Sequence, residues 1–233
     1  MTRSLAALLA LLVPLSLPAP AETGERGPRT VAFLVVDGVY NTELTAPLDI
    51  LHHIRFHSKD DWPETFLVSP DGDPVRTFEG MVVRPDHSFA TAPSIDVLVV
   101  PSAEHSMDKD LEDEALIRWV RETGGKARHV VSLCDGAFVL ARAGLLDGGP
   151  ATTFPADQDR FAGMFPGVEL VRDVSFVDAG RALTSVGGAR SFDVALWLVE
   201  RIYGADVARG VARGLVIDWD PSEVPHRAGR PRP

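Results

Sequence analysis

Uninterrupted apolar runs alternate along this chain with segments whose apolar residues recur every three or four positions. Residues 30–36, TVAFLVV, residues 96–101, DVLVVP, and residues 129–133, HVVSL, are mostly apolar and rich in β-branched side chains. A strand with one wet face alternates polar and apolar positions, so runs of this kind predict strands buried on both faces, as in a parallel sheet. A further strand is predicted at 65–68, a hairpin at 75–78 and 81–83 around Glu79-Gly80, and short strands at 151–153, 168–171, 175–177 and 182–185.

Between these runs the period becomes helical. Residues 43–57 place Leu48, Leu51 and Arg55 on one face with Ile50 and Ile54 beside it, and residues 111–122 carry Leu116, Ile117, Trp119 and Val120, with Gly124-Gly125 as the stop. Helices are also predicted at 156–165, from Gly187-Gly188 through Tyr203, and at 206–215. The helices of Trp119 and Trp197 read as core or subunit surface. The alternation predicts an α/β fold, a doubly wound and mostly parallel sheet with helices on both faces. Ligands in such sheets bind outside the carboxyl ends of the strands, where the loops after Val36, after Val100 and at Cys134 should meet, with the strands ending at Val36 and Leu133 expected to be neighbours at the switch point.

The last of these loops holds the only cysteine, Cys134. There a strand gives way to a helical pattern (Ala137, Phe138, Leu140, Ala141), with Gly136 two residues on to ease the turn: the logic of a nucleophile elbow. Backbone N–H groups of the new helix, beginning with Asp135, would face an oxyanion or thiolate. A free cysteine is also a common core residue, and the motif alone leaves both readings open.

The ends of the chain read differently. Residues 1–21 have one basic residue, an apolar stretch broken by Pro14 and Pro18, and an Ala-x-Ala exit at Ala19 and Ala21, which predicts a secretory signal peptide and an exported protein. Residues 22–29 read as a mobile leader, 30–220 as one domain, and 221–233, rich in Pro and Arg, as a disordered tail. A single cysteine excludes an internal disulfide. The net charge of −10 argues against nucleic acid or an anionic membrane surface as a partner.

Four stretches, FLVVDGVYNTELTAPLDIL, DVLVVPSAEHS, VVSLCDGAFVLARAGLLDGGPATTF and LTSVGGARSFDVALWLVERIYG, resemble the DJ-1/PfpI superfamily, in order, over residues 30–219. The TELTAPLD stretch is most similar to its isonitrile hydratase branch and to the amidase-like domains fused to AraC-type regulators. The resemblance implies a flavodoxin-like sheet, a homodimer, no metal or organic cofactor, and a working set of Glu43, Cys134 and Asp135. Ser102 and Ala103 fall where the family forms its second oxyanion donor, but Pro101-Ser102-Ala103 stands in place of Pro-Gly-Gly. Phe154 stands where many members carry histidine, and Asp135 follows the cysteine where many have Thr, Ser or Ala.

These residues suggest nucleophilic addition to a small carbon–nitrogen substrate, with Cys134 attacking and Glu43 delivering the proton. A non-enzymatic redox or ligand sensor with an oxidisable Cys134 is the rival reading, and an amidase or protease the third. His105, in the loop after Val100, is a candidate for the missing imidazole or an exposed loop residue. The i,i+4 pair His53 and His57 has metal-binding spacing without a third ligand. Glu43 could instead serve only the helix dipole. Gly187-Gly188 could cradle an anion, but close packing is the simpler role.

Overall fold

The computed structural model describes residues 27–59 and 61–229; the signal-peptide reading and most of the leader lie outside them. In chain order the strands are β1 (Thr30–Leu34), β2 (Glu64–Ser69), β3 (Val75–Arg76), β4 (Val82–Val83), β5 (His87–Ser88), β6 (Val97–Val100), β7 (His129–Leu133), β8 (Pro150–Ala151), β9 (Glu169–Leu170), β10 (Phe176–Asp178), β11 (Ala182–Ser185) and β12 (His226–Ala228). The helices are α1 (Asn41–His53), α2 (Lys109–Glu112), α3 (Glu114–Lys126), α4 (Gly136–Arg142), α5 (Gln158–Met164), α6 (Ser191–Tyr203) and α7 (Ala205–Gly214).

Eight strands form the main sheet in the order β12-β10-β11-β7-β6-β1-β2-β5, parallel throughout except where β10 meets β11. The apolar runs explain the centre. On β1, Val31 and Phe33 face one core and Ala32 and Leu34 the other, and Val97 and Val99 alternate with Leu98 and Val100 on β6 in the same way. Helices α1, α6 and α7 cover the first face; α3, α4 and α5 cover the second. The doubly wound α/β prediction therefore holds, and so does the β3–β4 hairpin as an insertion.

Four expectations are corrected. The strands ending near Val36 and Leu133 are not neighbours, because β6 lies between β1 and β7. Gly124-Gly125 does not stop α3, which runs to Lys126; a methyl at 124 would lie 2.5 Å from Leu145 Cδ1, so this glycine serves close packing. The end of the leader is docked: Gly27 is buried against the Tyr203 ring and its N–H donates to Asp61 Oδ2 at 3.3 Å. The tail is not disordered from Pro221 onward. Residues 221–223 form a 3-10 turn and β12 pairs parallel with β10, with His226 stacked on Phe176 at 4.8 Å. Composition flagged the Pro and Arg content but could not show that one apolar ring would receive His226.

Candidate functional site

Cys134 follows β7 in a left-handed backbone conformation, φ 51°, with its N–H donating to Ser185 O of β11 at 3.0 Å. A side chain in that region costs about 1–3 kcal/mol, which the surrounding sheet must supply. The tight turn is thus made by the cysteine, and Gly136, expected to make it, has a different task. A methyl at 136 would lie 2.1 Å from the Val100 carbonyl oxygen, so the missing side chain lets α4 begin directly against the end of β6. The elbow is real, with its strain on the nucleophile.

Glu43 enters from the first turn of α1, only 5% exposed. Its Oε2 accepts the Ser102 N–H at 3.0 Å and its Oε1 accepts the Gly188 N–H at 3.1 Å. It also interacts with the Cys134 side chain. The carboxyl therefore bridges the ends of β1, β6 and β11 and does more than complement a helix dipole. Gly187 makes room for this, since a methyl there would lie 2.4 Å from Cys134 Cβ and 2.6 Å from Glu43 Oε1. Gly187-Gly188 is thus a carboxyl cradle, against the packing-only expectation.

Asp135, also buried, approaches the same sulfur. Its Oδ2 is 3.7 Å from Cys134 Sγ, and its Oδ1 is 3.0 Å from Thr153 Oγ1. The same hydroxyl is 3.0 Å from Cys134 O. It has one proton, so it donates to one of the two at a time. Thr153 is held in turn by Gln158, whose amide reaches the Thr153 carbonyl at 3.4 Å and the Thr152 hydroxyl at 3.3 Å.

Burial sets the charge state of this group. It raises the Glu43 carboxyl, against the pull of the Gly188 and Ser102 N–H groups. It also pushes Asp135 up to about 6, opposed by the Thr153 bond and reinforced by Asp157 and Glu43. The Cys134 thiol is driven far above its ordinary range by burial first, then by the like charges of Glu43 and Asp135. The Asp135 N–H and the Ser102 side chain oppose this. Asp135 is therefore protonated in mildly acidic solution and largely ionised at neutral pH, while burial favours the neutral forms of Glu43 and the thiol, so the site has groups that can both give and take a proton.

This has a consequence for stability with a definite sign. Between pH 3.8, where the ordinary carboxyl titrates, and about 6, folded Asp135 keeps a proton that the unfolded chain releases. Stability is therefore lost as pH rises through that window, by on the order of 2–3 kcal/mol once it is crossed. Asp135→Asn, which keeps an oxygen for Thr153, should be no more stable than wild type at pH 4 and clearly more stable at pH 7. Urea denaturation of both proteins across that range checks it; a stability difference independent of pH would refute it.

Of the other anticipated residues, Ser102 belongs to the site, through both its N–H and its side chain. Ala103 does not supply an oxyanion donor, because its N–H is given to Ser106 Oγ at 2.8 Å. His105 is turned away: Nδ1 is 3.3 Å from Asp108 Oδ1 and Nε2 faces Lys109. No histidine among the described residues hydrogen-bonds Cys134, and Phe154 is exposed. His53 is engaged by Asp49, His57 packs against Gly210, and no cluster of metal-ligating side chains occurs among the described residues.

Two further contributors were not anticipated as such. Thr153 was visible only as part of a motif. Tyr40, just before α1, is raised by burial and then by the charges of Cys134, Glu43 and Asp135, which places its phenol in the field of the site. Its ring meets Phe78 at 4.6 Å, and Glu79 beside Phe78 accepts the Asn41 N–H at 3.0 Å. The β3–β4 hairpin is thus tied to the start of α1 and walls the site on that side.

Comparison with known proteins agrees with this geometry. The chain is 32% identical over 201 residues to the isonitrile hydratase of Pseudomonas putida, covering 86% of this chain and 82% of that one. It is 30% identical over 163 residues to the HTH-type transcriptional regulator CdhR of Pseudomonas aeruginosa, covering 70% of this chain but only 47% of the regulator. A ThiJ/PfpI family protein from Pseudomonas syringae has the same fold, with a TM-score of 0.74, 23% identity and coverage of 89% and 84% of the two chains. With residues 29–201 matching the family model as well, the chain belongs to the DJ-1/PfpI family.

Proposed function

We propose that this chain is an exported, cysteine-dependent enzyme that adds water to a small carbon–nitrogen substrate of the isonitrile type, acting as a homodimer. The observation that carries the reading is the pairing of Cys134 with two buried carboxyl groups whose protons are held more tightly than usual. An isonitrile carbon must gain both a proton and a nucleophile, so a carboxylic acid beside a thiol suits it. Glu43 gives its proton to that carbon as the sulfur of Cys134 adds to it, and the carboxylate takes the proton leaving the thiol, giving a thioimidate with Glu43 again protonated. Water then adds to its C=N bond, and collapse returns the thiol and releases an N-substituted formamide. Asp135, near 6, can take and return the proton of that water. Similarity to an isonitrile hydratase supports the same chemistry. Amide hydrolysis fits less well, since it usually relies on an imidazole that does not meet this sulfur.

The test is incubation of the purified protein with a panel of alkyl and aryl isonitriles, with formamide followed by NMR. Turnover that requires Cys134 is expected. No turnover with any member, together with ligand-induced shifts, would favour the second reading, a non-enzymatic sensor. The buried sulfur and the similarity to a transcriptional regulator support that alternative. The charge of −10 makes nucleic acid a poor partner for either role.

A further inference from the structure

The end of the sheet remote from Cys134 has a chemistry of its own. Strands β7 and β11 both begin there, each preceded by an arginine, Arg128 and Arg181. Because β10 runs against β11, its last residue, Asp178, reaches the same end. A cleft of about 720 Å³ opens at this point, lined by Arg128, His129, Arg181, Arg201, Asp147 and Gly149 among others. Three arginines thus line a space whose lining includes one carboxylate, Asp147, in a chain whose overall charge is −10.

We propose that this cleft binds a small phosphate-type oxyanion, free or carried on an organic molecule. Two of the arginines are fixed in place without exhausting their donors. Arg181 donates Nε to Ala127 O at 3.1 Å and a second N–H to Gly124 O, closing the carboxyl end of α3. Arg201 donates one N–H to Asp178 Oδ1 at 2.6 Å. Asp178 is itself immobilised by Trp197 Nε1 at 2.9 Å and the Gly180 N–H at 2.8 Å. A guanidinium carries five N–H donors, so these bonds occupy two on Arg181 and one on Arg201. A pre-ordered planar arginine fork can pair with two oxygens of a tetrahedral phosphate and loses little freedom on binding.

His129 supplies the second observation. Its Nδ1 is buried and has no hydrogen-bond partner. Burial, then the charges of Arg201 and Arg128, lower the imidazole to about 4, while Asp178 and the Arg181 backbone act in the opposite direction. The ring therefore reports the cationic field of the cleft and should respond when an anion offsets that field.

The experiment uses the full chain and titrates inorganic phosphate, pyrophosphate and phenyl phosphate at constant ionic strength, by calorimetry and by NMR of the His129 ring. One-to-one saturable binding is expected, with the His129 pKa rising by roughly one unit on saturation. Tighter binding of phenyl phosphate than of inorganic phosphate would identify an organic phosphate as the natural ligand; the reverse order would identify the free ion. Gly149→Asp adds a carboxylate to the cleft where a new carbon meets only Leu146 O, at 3.6 Å. That variant and Arg201→Gln should each weaken binding by roughly tenfold or more. Absence of saturable binding by all three anions, or binding undiminished in Gly149→Asp, would overturn the proposal and leave the arginines as a helix cap and a clamp on Asp178.

Discussion

Cys134→Ser should bring isonitrile turnover down to the uncatalysed rate, and Glu43→Gln should lower kcat by about a hundredfold or more. The two losses have different causes. Serine keeps the shape of the elbow, but its hydroxyl is a far weaker nucleophile, and no histidine among the described residues bonds position 134 to act as its base. Glutamine keeps the size of Glu43 but has no acidic proton to give. Its amide NH2 would also confront either the Ser102 or the Gly188 N–H, where Glu43 offers two acceptors. Rates by NMR, with circular dichroism to show that both variants fold, check the expectation. Full activity in Cys134→Ser would remove the nucleophile from the mechanism; full activity in Glu43→Gln would remove the acid and leave Asp135 as the proton source.

The sheet centre was legible because its strands are buried on both faces and so carry apolar residues at nearly every position. Cys134 was legible as an elbow where three loops converge at the strand ends, whereas Glu43, Asp135 and Ser102 were marked out by the resemblance of their motifs to the family. What stayed hidden depends on pairings far apart in sequence. Glu43 and Gly188 are separated by 145 residues, and no local pattern marks a glycine as a donor to a particular carboxyl. The order β7-β6-β1 could not be read either, since all three strands look alike in composition. Thr153 was noticed only as the residue before Phe154, although its hydroxyl is what orients Asp135. His105 misled for the opposite reason: its loop is next to the site, but Asp108 and Lys109 lie closer to the ring.

Gly136→Ala should destabilise the fold by about 3 kcal/mol or more, at the upper end of what inserting a methyl into a packed interior costs. The new carbon would sit 2.1 Å from Val100 O, 3.0 Å from Val100 C and 3.1 Å from Pro101 O. All three are backbone atoms, so no side-chain rotation relieves the clash; α4 must move away from the end of β6, or β6 from β7. Either movement pulls Ser102 from Glu43 and shifts Asp135, the residue before Gly136, relative to the sulfur. Activity should therefore fall even where the variant still folds. Gly125→Ala is the matched control: that glycine lies exposed inside α3 with nothing within 4 Å of the added methyl. It should gain up to about 1 kcal/mol from helix propensity alone. Urea midpoints of the two variants should move in opposite directions. A Gly136→Ala midpoint equal to wild type would mean that α4 does not need this close approach to β6 to hold Cys134 in its strained conformation.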